Sequence, residues 1–145
     1  MEEIKKVRIS IPSWWAVIYI AISLFMIPWT VFLGFHLPSK HITRNWDITW
    51  VGLDAFLIVS LLVTGILAKM NSIYMVLSAI ITGTLFMTDA WFDVLGYKVG
   101  SFGFSEAMLT AFFGELPMAF MSYGLAIHAL RRLYAEKEVK TESSG

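Results

Sequence analysis

The chain has 145 residues, 57% hydrophobic and 15% charged, with a mean hydropathy of +0.68. A soluble domain of this size does not carry so much apolar surface, so the composition reads as an integral membrane protein. A formal net charge of zero gives nucleic-acid binding no electrostatic support, and the lack of cysteine removes disulfides, thiolate metal sites and CxxC redox chemistry.

Residues 1–13 are polar and basic, with Lys5, Lys6 and Arg8, and end on Ser13, which is placed to cap a helix. The first predicted span, 14–35, is an apolar run of 22 residues, long enough to cross a bilayer. Its core is too long for a signal peptide. Pro28 should kink it, and Tyr19, Ser23, Thr30 and Gly34 fall near one stripe. A loop follows from His36 to Asp47, with Pro38 stopping the first helix. The second predicted span, 49–68, carries Asp54, with Asp47 and Trp50 on the same face at i, i+3 and i+7.

Lys69 to Ser72 reads as a tight turn, making the second and third spans antiparallel neighbours. The third span, 73–95, has Ser78, Thr82, Phe86, Asp89 and Asp93 along one side. After a loop containing Gly100, Ser105 is placed to cap a fourth span over 105–130. Its stripe of Ala111, Glu115, Ala119, Ser122 and Ala126 would let a neighbouring helix approach closely. The tail, 131–145, is charged and starts as helix. The expected fold is therefore all-α: one domain, a four-helix transmembrane bundle. With both termini cytoplasmic, the inner side holds eight Lys and Arg (Lys5, Lys6, Arg8, Lys69, Arg131, Arg132, Lys137, Lys140), and the outer side three (Lys40, Arg44, Lys98).

Asp54, Asp89, Asp93 and Glu115 stand inside these apolar runs. Intramembrane acids face a bundle interior or a water-filled cavity and point to function. A rise of ~1.5 Å per residue puts Asp93 near the outer end, Asp54 and Asp89 ~9–10 Å below it, and Glu115 ~16 Å down, as the deepest acid. All four fall in the outer half, which suggests an outward-facing acidic pocket with a closed floor. Trp50 and Trp91 adjoin the acids, Arg44 and Asn45 lie beside the mouth, and Arg44 is the expected countercharge. The plainer reading gives each acid a structural hydrogen bond within the bundle and each tryptophan a place in the interfacial belt.

Three chemistries fit the acids. The leading one is binding of a cation or a small cationic amphiphile, for transport or sensing. Hard divalent metals take carboxylate oxygens, and Asp54, Asp89, Asp93 and Glu115, with His36 adding nitrogen, form a candidate ligand set. The plainer reading of His36 is a polar helix-end residue. Carboxyls also serve as acid and base, so an intramembrane enzyme acting on a lipid-like substrate is the second reading, although no Ser-His-Asp set, HExxH motif or phosphate-cradling loop supports it. A structural or accessory subunit is the third. Bilayer lipid is an expected partner. Met and Phe on the outer faces are compatible with a homodimer, and nucleic acid is not expected.

The set His36-Leu37-Pro38, Asn45-Trp46-Asp47, Trp50-Val51-Gly52-Leu53-Asp54, Asp89-Ala90-Trp91-Phe92-Asp93 and Glu115-Leu116-Pro117 resembles a group of small four-span bacterial integral membrane proteins. The resemblance covers most of the chain from His36 to Pro117 and implies a multi-pass protein of a bacterial plasma membrane. It carries no activity with it. A looser similarity, in site chemistry alone, is to the sterol-isomerase and sigma-2 type membrane fold, in which buried acids and aromatics hold a cationic ligand.

Overall fold

A computed structural model describes the backbone of residues 8–36 and 45–142 and the side chains of 8–36 and 45–135. Five α-helices follow in order: α1 (Trp14–His36), α2 (Trp46–Lys69), α3 (Met75–Gly96), α4 (Phe102–Thr110) and α5 (Leu116–Glu142). A π-helical turn, Ala111–Glu115, joins α4 to α5. Helices α1, α2 and α3 are each long and apolar enough to cross a membrane. Large apolar side chains cover their outer surfaces: Phe25 is 71% exposed, Phe35 83% and Phe56 69%. Such surface is costly in water and matches the interior of a bilayer. The fourth run differs from the single span expected over 105–130. It starts earlier, is interrupted by the π turn, and continues as helix into the charged tail.

Neighbours in sequence pack as neighbours in space: α1 on α2, α2 on α3, and α3 on α4, the π turn and α5. Two glycines permit the closest approaches. A Cβ on Gly65 would lie 2.7 Å from Ile20 Cγ1 and 3.1 Å from the Ile20 nitrogen. A Cβ on Gly83 would lie 3.1 Å from the Ala119 carbonyl oxygen and 3.2 Å from Ser122 Cβ. The expected stripe of Ala111, Glu115, Ala119, Ser122 and Ala126 is buried throughout. Buried hydroxyls bond across the seams. Tyr19 of α1 donates to Ser122 Oγ of α5 at 2.9 Å, and Thr64 of α2 lies 2.6 Å from Ser78 Oγ and 3.0 Å from Thr82 Oγ1 of α3.

The predicted Lys69–Ser72 turn is present, with Asn71 at a φ of 52°. It also does something the sequence does not disclose. The Ile9 nitrogen donates to the Asn71 carbonyl at 2.8 Å and the Ile11 nitrogen to Asn71 Oδ1 at 3.2 Å. The segment before α1 therefore lies across this end of the bundle, with Ile9 and Ile11 buried in the core. The cap of the fourth run is Ser101 rather than Ser105, and Ser101 Oγ accepts from the Phe104 nitrogen at 3.2 Å.

The π turn has an identifiable cause. Pro117 has no N–H for the Phe113 carbonyl, and its ring would crowd that carbonyl in a regular helix. Just upstream the helix widens, and the Leu116 nitrogen bonds to the Ala111 carbonyl, five residues back. Ala107, Ala111, Glu115 and Ala119 follow one another at four-residue steps and all are buried. On a regular helix three such steps drift by about 120°, whereas a π turn absorbs much of that drift. The wide turn thus keeps Glu115 facing α3.

Candidate functional site

The site lies at the end of the bundle opposite the Ile9–Ile11 segment. Three elements supply its acids: α2 gives Asp54, α3 gives Asp89 and Asp93, and the π turn gives Glu115. Asp54, Asp89 and Glu115 are buried, at 5%, 7% and 8% exposure, and Asp93 is half-buried. They act on one another. Asp89 feels the charges of Asp93 and Asp54, and Glu115 feels those of Asp89 and Asp93. The carboxyls of Asp93 and Glu115 are within hydrogen-bonding reach, a contact that needs one proton between them.

Few donors serve this set. Thr30 of α1 donates to Asp54 Oδ2 at 3.1 Å. Thr110, the last residue of α4, reaches Asp93 Oδ2 at 3.5 Å while bonding more closely to the Ala107 carbonyl at 3.0 Å. Glu115 Oε2 is buried with no donor. Just outside the apolar helices, Tyr97 stands near Asp93 and Glu106, and burial together with those acids pushes its phenol up from the ordinary tyrosine range. The only basic side chains on α1, α2 and α3 are His36 and Lys69, each the last residue of its helix.

The buried side of α2 runs through Trp46, Trp50, Asp54, Leu57 and Leu61. Trp46 and Trp50 meet edge to face with ring centroids 5.3 Å apart, one and two turns from Asp54 towards the start of the helix. Trp50 is thus where the sequence expectation puts it. Trp46, read as an interfacial belt residue, is instead in the interior, and a Cβ on Gly96 of α3 would come within 3.1 Å of its ring. Asp47 sits off the face it was expected to share: it is half-buried, and its Oδ1 has no hydrogen-bond partner.

The other expected site residues lie elsewhere. Trp91 is 64% exposed and points away from the acids. It lines an open groove of about 530 Å³ between α3 and the α4–π–α5 run, together with Thr84, Val94, Leu95, Met108 and Phe112. Asn45 is exposed in a left-handed conformation at the start of α2, where its carbonyl accepts from the nitrogen and hydroxyl of Thr49. His36 is exposed, stacked on Phe32 at 4.0 Å, with Nδ1 on the Phe32 carbonyl at 2.9 Å. It caps the helix end locally. Arg44, the expected countercharge, lies outside the described residues. Among the described residues no three of His, Asp and Glu form a set that could hold a metal ion, so the proposed five-residue metal set does not assemble here.

The depth order also changes. Counted along the chain, Glu115 is the deepest acid, yet its contact with Asp93 sets it at the level of the α3 pair. Helix α4 begins beyond the level at which α3 ends, so residue count overstates depth. Thr110 joins the site for the same reason, and no feature of the sequence singles it out. Thr30 was visible as part of a polar stripe, although its partner was not. No family model, curated protein or solved structure matches this chain.

Proposed function

We propose that the four carboxyls form a binding site for a cation, reached from the outer side of the membrane, through which the protein transports or senses that cation. The observation that carries this reading is Glu115: a carboxyl 8% exposed, facing Asp89 and Asp93, with Oε2 lacking any donor. Burying charges of one sign is costly unless an opposite charge joins them. A bound cation would supply that charge where the surrounding helices offer none. The Trp46–Trp50 pair beside Asp54 adds aromatic faces, which attract cations.

The reading includes a fourth crossing by the α4–π–α5 run and cytoplasmic termini in a bacterial plasma membrane. The eight-to-three distribution of Lys and Arg supports that orientation. The Ile9–Ile11 segment across the opposite end supports access from the acidic end alone.

The test is equilibrium binding of two probes, rubidium and tetramethylammonium, to the full chain in nanodiscs, followed through tryptophan fluorescence over a pH series. Saturable binding of at least one is expected, tightening as pH rises, because cation and proton compete for the same oxygens. Glu115→Gln preserves shape but cannot become an anion. It should weaken binding at least about ten-fold, the equivalent of about 1.4 kcal/mol, and flatten the pH dependence. Unchanged affinity and pH response in a folded variant would make Glu115 a packing device and end this reading.

A further inference from the structure

The groove that holds Trp91 borders the acids residue by residue. Ala90 and Trp91 follow Asp89, Val94 follows Asp93, Ala111 follows Thr110, and Leu116 follows Glu115; each of these followers lines the groove. Ala90 and Ala111 are 5% and 2% exposed, so they form its floor, and their methyl groups are the smallest barrier a side chain can offer. At the same level Asp93 is only half-buried and Thr110 is exposed, which leaves the acidic set least covered on this side. From Leu95 down to Thr84 the groove runs about 16 Å along α3. Apart from Thr84, Thr88 and the Tyr123 hydroxyl, its wall is apolar.

We infer that the ligand is a single-chain organic cation that enters sideways from the bilayer, its hydrocarbon part in the α3/α4–α5 groove and its charged head at Asp93 and Glu115. This rests on the cation reading above and narrows it to a chemical class. Two observations favour this occupant. The carboxyls lack a cationic partner, and the Glu115 Oε2 is buried without a donor, which calls for positive charge at the head end. The groove is apolar, elongated and continuous with that end, which calls for a chain. A neutral lipid chain would satisfy the groove alone. A small inorganic ion would satisfy the acids alone.

The experiment uses the full chain in nanodiscs of zwitterionic lipid and two photoreactive probes of equal length: a dodecyltrimethylammonium carrying a diazirine at the chain end, and the matching neutral dodecanol. Peptide mass spectrometry locates the adducts, and tetramethylammonium binding is measured in parallel. The cationic probe is expected to label the groove segments, 84–95 and 108–123, at least about ten-fold more than the alcohol. Glu115→Gln should bring it down to the alcohol's level. Phe112→Ala, on the exposed groove wall, should narrow the affinity difference between dodecyltrimethylammonium and tetramethylammonium, and it tests the same point should Glu115→Gln fail to fold. Equal labelling by both probes while tetramethylammonium still binds would overturn the lateral-entry inference and leave the cation site standing. Absence of both selective labelling and tetramethylammonium binding would overturn the two together.

Discussion

Thr30 shows how a single hydroxyl conditions the acids. Its Oγ1 is the donor to Asp54 Oδ2 at 3.1 Å, and both residues are buried. Valine in its place keeps the shape and removes the donor, leaving a buried carboxyl oxygen unsatisfied, at a cost of about 1–3 kcal/mol. Thr30→Val should therefore lower the thermal midpoint followed by near-UV circular dichroism, and Thr30→Ser should restore most of it. Equal stability of the two variants would show that Asp54 finds its donor elsewhere. Glu115 is the contrasting case. It has acid neighbours, and its Oε2 has no donor, so it is the residue whose chemistry the fold leaves incomplete.

At the scale of elements, two close helix contacts hold the bundle in register. Gly83 lets α3 approach the backbone of α5 at Ala119, and Gly65 lets α2 approach α1 at Ile20. The obstacle at Gly83 is a backbone carbonyl, which cannot turn aside as a flexible side chain would. Gly83→Val should therefore destabilise by about 1–3 kcal/mol through overpacking. It should also disturb cation binding, because the same two elements carry Asp89, Asp93 and Glu115. Gly52, with nothing within 4 Å of its would-be Cβ, provides the control: Gly52→Ala should leave the thermal midpoint unchanged or slightly higher. A Gly83→Val midpoint equal to that of Gly52→Ala would contradict the close α3–α5 contact.

For the whole molecule, orientation decides which compartment the acidic end faces. Single cysteines at Lys40, Lys98 and Lys137 can be probed with a membrane-impermeant maleimide on intact cells. The first two should react and the third only after permeabilisation, as the excess of basic residues at the other end requires. The reverse pattern would turn the site toward the cytoplasm and remove the outer-access part of the proposal, while leaving the cation chemistry testable. The Ile9–Ile11 segment gives this scale a second feature. It ties the start of the chain to the α2–α3 turn through Asn71, so the inner end is covered by chain that the hydropathy pattern marks only as a polar leader.

The sequence by itself determined the helices and their inward faces. Apolar run lengths located α1, α2 and α3 to within a few residues, and the small-residue stripe from Ala111 to Ala126 named the buried side of the fourth run. These are local properties, set by helical periodicity and by the cost of polar groups in hydrocarbon. The tertiary structure decided what depends on register between elements. It brought Glu115 level with Asp93, placed Thr30 and Thr110 beside the acids, and buried Trp46 while leaving Trp91 outside. Residue count could not supply these placements, because the π turn before Pro117 shifts the phase of the fourth run and α4 starts beyond the end of α3. Helical periodicity specifies which face of a helix turns inward, whereas the height at which two helices meet is a property of the pair.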